Sequence, residues 1–194
     1  MTELLHQVSF GLMTLSALAA IVISIERLIF SGVNLRRANQ LLQDLDASVS
    51  PAQLEASLAN DTVSVMVKRM LVLEHQQLSP AVRQDRADAT FLAARDDSNQ
   101  RLWLLDTIVT AAPLMGLLGT IFGIVDTFLA LSKSGMSDPA GVSAGIGTAL
   151  YATAFGISIA LVGLLAFNFL TDRNERLGER FKMLILKLSE SHPD

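Results

Sequence analysis

The sequence predicts an all-α fold: a polytopic membrane helical bundle of three transmembrane helices with long cytoplasmic extensions. Three observations carry that reading. Three long stretches hold no charged residue, and the 15 basic and 19 acidic side chains are segregated around them. The segments between carry helix-capping signals and apolar residues at helical spacing. Hydrophobic types make up 51% of the 194 residues and charged types 18%, against about 25% charged in an average soluble domain. Mean hydropathy is +0.43. So apolar a chain is not disordered. Having no cysteine, it holds neither a disulfide framework nor a cysteine-ligated zinc or iron–sulfur centre. A net charge of −4 with no Lys/Arg-rich run argues against nucleic acid as a partner.

The first apolar run, Val8 to Ile25, is eighteen residues long and is closed by Glu26 and Arg27. A bilayer core needs about 20 apolar residues in a helix, so it qualifies as a span. Its leader, MTELLHQ, lacks Lys and Arg, and the run exceeds the apolar core of a signal peptide, about 7–15 residues. This predicts an uncleaved anchor with its N-terminus outside. Between 26 and 101, Ser50-Pro51-Ala52-Gln53 forms a capping-box pattern, and Ser79-Pro80 repeats the cap-plus-proline signal. No Pro or Gly follows until Pro113, which predicts one unbroken helix from Pro80 to about Leu131, about 78 Å long at about 1.5 Å per residue.

That helix contains the second run, Thr107 to Val125, nineteen residues between Asp106 and Asp126. The third run, Val142 to Leu170, is twenty-nine residues, closed by Thr171, Asp172 and Arg173. Beyond it Leu177, Phe181, Leu184, Ile185 and Leu188 recur at helical spacing, with Gly178 the weak point. The organisation expected is a leader and first span over 1–25, a cytoplasmic helical segment over 26–101 and a second span over 102–131. A short outside loop over 132–141, a third span over 142–172 and a cytoplasmic helical tail over 173–194 complete it.

Positive charge fixes the orientation. The leader has no Lys or Arg, residues 26–101 have nine, residues 132–141 have only Lys133, and residues 171–194 have five. Lys and Arg stay on the cytoplasmic side, so the leader and the 132–141 loop face outward and the rest of the polar chain faces inward.

No phosphate loop, HExxH or paired metal-ligand spacing is present, and His6, His75 and His192 are scattered outside the spans. The expectation is a non-enzyme without cofactor or metal. The spans carry something else. Asp106, Pro113, Thr120 and Thr127 lie at intervals of seven, with Thr110 between the first two and Gly116, Gly119 and Gly123 alongside. On the third span Gly145, Ala149, Ala152 and Gly156 make a small-residue seam, Ser143, Thr148, Thr153 and Ser158 supply hydroxyls, and Tyr151 adds a phenol. Small residues let helices approach closely in lipid. One hydroxyl alone bonds back to its own helix as readily, but two helices combining both features point to a shared polar interface. No Asp, Glu, Lys, Arg or His lies at mid-span, although ion-coupled machines keep one there despite a cost of about 2.5–3.5 kcal/mol or more. If this chain conducts protons, another polypeptide brings the carrier.

The stretch Ala112-Pro113-Leu114-Met115-Gly116-Leu117-Leu118-Gly119-Thr120-Ile121-Phe122-Gly123-Ile124 resembles the signature of the MotA/TolQ/ExbB proton-channel family. So does the segment from Gly145 to Gly156, in its Ala-Leu-x-x-Thr-Ala-x-Gly core. Three spans with a large segment between the first and second are similar to ExbB and TolQ, whereas MotA-type flagellar subunits have four. The resemblance implies a multi-pass protein of the bacterial inner membrane, assembled as a homopentamer in lipid. The pentamer would enclose a single-span ExbD/TolR-like partner whose intramembrane Asp binds and releases protons, with the work passed to a TonB- or TolA-like protein. By motif position Thr120 and Thr153 match threonines lining the family's pathway, and Pro113 matches its proline. Thr148 stands where ExbB and TolQ usually carry a glutamate. A non-conducting membrane scaffold and a motility stator are the alternatives, and hydroxyl-lined paths suit either protons or sodium.

Overall fold

The computed structural model describes residues 2–47, 51–74, 76, 78–134 and 139–190. The regular elements among them are six α-helices: α1 (Thr2–Asp46), α2 (Pro51–Ser57), α3 (Thr62–Glu74), α4 (Pro80–Asn99), α5 (Leu102–Ser134) and α6 (Pro139–Glu190). Three stretches, 8–46, 80–132 and 139–188, are long and apolar enough to cross a membrane. The all-α membrane fold expected from the sequence is therefore the fold observed. Ser50, the first residue of the proposed capping box, lies outside the described residues, as do His75, His192 and loop residues 135–138. The described parts of the 132–141 loop are helical, since α5 runs to Ser134 and α6 starts at Pro139.

The chain divides into two compact units. One, here the apolar unit, comprises Met1–Ile25 and Arg101–Asn168. One buried cluster holds Met13, Ala112, Ala152 and Ile159, with Phe10, Ala17, Ile108 and Met115 packed around them, and Ala20, Ile23, Leu102, Leu105 and Ala149 are buried as well. Many of its large side chains point outward, Leu15, Val22, Leu114, Val162 and Leu165 among them. Lipid is as apolar as leucine, so close packing and interhelical hydrogen bonds draw helices together there, and small residues occupy the points of closest approach.

The other, the charged unit, comprises Glu26–Gln100 and Phe169–Asp194. It is built as a water-soluble bundle is, with large side chains inside. Leu41, Met66, Met70, Leu177, Phe181, Leu184 and Leu188 are buried in one cluster. The helical spacing read in the C-terminal tail is thus a core face, with Ile185 at its margin, and α6 passes through Gly178 unbroken. Capping begins α3 and α4 as side-chain chemistry requires. Asp61 accepts from the Ser64 N–H at 2.8 Å, and Ser79 accepts from the Val82 N–H ahead of Pro80.

The helix expected to run unbroken from Pro80 carries one irregular turn. Asn99 ends α4, Arg101 takes a φ of 64°, and α5 resumes at Leu102. A non-glycine residue in the left-handed region is unfavourable on its own, and the last carbonyls of a helix lack intrahelical partners. Tertiary donors supply them. The Asp97 carbonyl accepts from Arg27 Nη1 at 3.3 Å and the Ser98 carbonyl from Asn174 Nδ2 at 2.7 Å. Thr62 Oγ1 donates to the Asp97 carboxylate at 2.5 Å. Helices α1, α3 and α6 each place a donor on the last turn of α4. Arg27 and Asn174 are only 5% and 7% exposed, so these bonds form away from water.

This arrangement sets an order of costs. Asn174→Leu strands the buried Ser98 carbonyl and is expected to cost about 1–3 kcal/mol. The Arg176–Asp172 pair, an exposed i,i+4 contact at 3.1 Å, is expected to contribute under about 0.5 kcal/mol. Denaturation midpoints of Asn174→Leu and Arg176→Leu in mixed micelles check the ranking; equal midpoints would overturn it.

Candidate functional site

Helices α5 and α6 pack antiparallel in the apolar unit, and their glycines show how closely. A Cβ added at Gly116 would lie 2.9 Å from the Ala152 carbonyl oxygen and 3.1 Å from the Thr153 Cα. One added at Gly156 would lie 2.5 Å from the Ala112 carbonyl oxygen. Only glycine fits where two backbones touch. The contact continues in register. A Cβ added at Gly119 would lie 3.1 Å from the Ala152 methyl and one at Gly163 3.0 Å from a Val109 methyl, and Gly145 faces Thr127. Ala149 and Ala152 are fully buried between the helices.

This register brings two hydroxyls together. Thr120 Oγ1 and Thr153 Oγ1 are hydrogen-bonded across the interface. Thr120 Oγ1 also reaches the Ala149 carbonyl at 3.1 Å and the Gly116 carbonyl at 3.2 Å. Thr153 Oγ1 reaches the Gly116 carbonyl at 3.1 Å. A hydroxyl has one proton to donate and two lone pairs to accept with. The pair therefore holds two protons for three kinds of acceptor: two carbonyls and the partner hydroxyl. Rotating both O–H groups reverses the bond between the threonines without moving a heavy atom. The arrangement can hold its helices together and can hand on a hydrogen-bond direction.

The other residues singled out by sequence separate into two groups. Thr127 sits half-buried against Gly145 and donates to the Gly123 carbonyl at 2.8 Å. Pro113 is half-buried, and α5 continues through it. These lie along the interface with Thr120 and Thr153. The rest do not join it. Thr110 is exposed and bonds back to the Thr107 and Asp106 carbonyls, and Asp106 is exposed beside it. Thr148 is exposed and bonds back to the Ala144 carbonyl at 3.0 Å, while Tyr151 is 76% exposed. The stripe drawn at intervals of seven is split because a straight helix drifts by about 20° per heptad. Its first members have turned off the face that α6 covers. Gly163 belongs to the contact and was not singled out; its spacing of seven from Gly156 was the available signal.

The family model described as the MotA/TolQ/ExbB proton channel family matches residues 45–183, a span that includes the whole α5–α6 contact. A biopolymer transport protein ExbB of Helicobacter pylori is 36% identical over 88 residues, 45% of this chain and 61% of that protein. A putative biopolymer transport protein ExbB-like 1 of Synechocystis is 32% identical over 171 residues, 85% of this chain and 67% of that protein. A putative biopolymer transport protein ExbB homolog of Methanothermobacter thermautotrophicus is 31% identical over 111 residues, 57% of this chain and 38% of that protein. The chain thus spans between about two fifths and two thirds of the length of these relatives.

The contact predicts which interaction dominates. Forcing a side chain into a packed interface costs about 1–3 kcal/mol or more. An interhelical hydrogen bond in a membrane averages about 0.6 kcal/mol, with a maximum of about 1.7. Gly156→Val is therefore expected to destabilise the protein more than Thr153→Val in SDS-titration unfolding. The reverse order would show that the hydroxyls, not the glycines, hold the helices together.

Proposed function

The chain belongs to the MotA/TolQ/ExbB proton channel family, and we propose that it is an ExbB/TolQ-like, ring-forming, non-enzymatic subunit of a motor driven by the proton motive force. The membrane is the bacterial inner membrane, with the N-terminus periplasmic and the C-terminus cytoplasmic. The ring is a homopentamer around a single-span ExbD/TolR-like partner, and its work energises a TonB- or TolA-type transport or envelope process. The observation that carries the reading is the Thr120–Thr153 pair, bonded across a glycine contact in spans that hold no Asp, Glu, Lys, Arg or His at their middle.

The chemistry follows from that pairing. Hydroxyls accept and donate without being charged, so they solvate a proton carrier without being one. The carrier is the partner's intramembrane aspartate. Each proton crossing 100 mV releases about 2.3 kcal/mol, and that energy is usable only if protons do not leak past the carrier. Glycine-tight helices with paired hydroxyls suit such a wall. Thr148, Tyr151 and Ser158 form an outward stripe on α6 that mixes hydroxyls with apolar groups, which suits a neighbouring subunit or the ring's lumen better than lipid.

A second reading is supported by the same pair: each hydroxyl already has a carbonyl to bond, so the site could serve packing alone in a non-conducting scaffold. Proteoliposomes separate the two. The chain alone is expected to leave a potassium-diffusion potential intact. With the co-purified single-span partner, proton flux should appear, and Thr120→Val or Thr153→Val should lower it about threefold to tenfold. Partnered flux unchanged by either substitution would remove the hydroxyls from the pathway. An absence of flux in every combination would favour the scaffold.

A further inference from the structure

The first apolar run ends in sequence at Glu26 and Arg27, yet these two do not end the apolar surface of α1. Arg27 turns inward, 5% exposed, and bonds the Asp97 carbonyl. Glu26 is half-buried and contacts Arg27 at 3.2 Å. The outward row of the helix runs on past them. Leu18, Val22, Ile25, Ile29 and Val33 recur at spacings of three and four, and each is more than half exposed. From Ile25 to Val33 the row gains about 12 Å, and its next member is Arg36. On α6 the outward row Val162, Leu165 and Phe169 is likewise more than half exposed, and its next member is Arg173.

These two arginines stand together in the charged unit. Arg173 lies across α1, its Nη1 3.8 Å from the point that a Cβ on Gly32 would occupy. Its Cζ is 5.3 Å from the centre of the Phe169 ring. Arg36 follows Gly32 by four residues, about 5–6 Å away on the same helix face. Arg173 is half-buried and Arg36 exposed, and among the described residues neither is paired with a carboxylate. Asp172, beside Arg173 in sequence, is engaged by Arg176 at 3.1 Å. Continuity separates this patch from other exposed apolar side chains of the unit. Val82, Leu92 and Leu186 are exposed too, but Leu92 stands between Asp88 and Asp96, Val82 precedes Arg86 by one turn and Leu186 follows Lys182 by one. None of them extends an apolar row out of a span.

We propose that Arg36 and Arg173 bind the headgroup phosphate of an anionic phospholipid whose acyl chains lie along Ile29 and Phe169. A guanidinium presents a planar fork of donors that matches phosphate oxygens. The cations decide between occupants. Hydrocarbon alone, from a lipid tail or from an apolar helix, would cover the rows and leave both guanidiniums uncompensated. A choline headgroup would bring its own cation toward them. An anionic phospholipid joins hydrocarbon to negative charge in the order in which the rows present their partners. The inference does not depend on ion conduction.

The test uses the full chain in bilayers, with tryptophan as reporter and brominated phospholipid as quencher. The sole tryptophan, Trp103, is first removed as Trp103→Phe, and the reporter is added as Ile29→Trp or, for comparison, Leu92→Trp. Brominated phosphatidylglycerol is expected to quench the Ile29→Trp reporter at mole fractions about tenfold below those that brominated phosphatidylcholine needs. Neither lipid should quench the Leu92→Trp reporter. Arg36→Gln, at an exposed position, should lower the preference about threefold to fivefold. Arg36→Gln with Arg173→Gln should abolish it, Arg36→Lys with Arg173→Lys should keep most of it, and salt should weaken it. The proposal is overturned if the Ile29→Trp reporter is quenched equally by the two lipids, or by neither, which would mean that protein covers the row. Equal quenching of the Leu92→Trp reporter, or a preference untouched by Arg36→Gln, would overturn it as well.

Discussion

Gly116 and Gly156 touch backbone to backbone, and the apolar unit is arranged around that contact. In water, two helices gain by burying apolar faces against each other; in lipid that gain vanishes, because the surroundings are equally apolar. What remains is dispersion between closely fitted surfaces and hydrogen bonds between helices, and both fall off within an ångström. Glycine at the point of closest approach is what makes either possible. It also fixes the register. Once Gly116 lies on Thr153 and Gly156 on Ala112, Thr120 and Thr153 stand within bonding distance, and Thr127 stands against Gly145. The hydroxyl pair is thus a consequence of the glycine contact, and its geometry is only as rigid as that contact.

The charged unit obeys the ordinary rule of water-soluble bundles. Its interior is leucine, methionine and phenylalanine, and its polar difficulty lies at a helix end. Where α4 stops, the Asp97 carbonyl is met by the Gln100 N–H and by Arg27, and the Ser98 carbonyl by Asn174. Burying Arg27 is costly in itself. Its Nη1 bond to the Asp97 carbonyl, its contact with Glu26 at 3.2 Å and its position over the Phe30 ring at 4.8 Å are what compensate. The two units therefore solve different problems with different residues: small ones where the solvent offers no drive, and large ones with buried donors where it does.

Much of this was legible in the sequence, because it is written in local patterns. Uncharged length marked the spans, Ser79-Pro80 marked the start of α4, and the spacing of Gly145, Ala149, Ala152 and Gly156 marked the packed face of α6. The junction at Gln100 and Arg101 was not legible. No glycine or proline announces it, and the donors that stabilise it come from positions 27 and 174, far away in the chain. The pairing of Thr120 with Thr153 rather than with Thr148 was also hidden. Intervals of seven identify a face near one point, but helical drift carries Asp106 and Thr110 away from it. Only the interhelical register, a tertiary property, says which hydroxyls meet.

That register bears on how such a protein would use energy. An ionised carboxylate at mid-membrane costs about 2.5–3.5 kcal/mol or more, while a proton crossing 100 mV delivers about 2.3. The two are comparable, so a carboxylate that deprotonates in the spans is tolerable only where dipoles stand ready to solvate it. Hydroxyls on helices that cannot move apart are such dipoles, since they are already oriented and little reorganisation is needed when charge appears. Thr148 donates its hydroxyl hydrogen to the Ala144 carbonyl and holds no titratable group. In the proposed motor this wall therefore contributes solvation without storage, and the loading step belongs entirely to the partner's carboxylate.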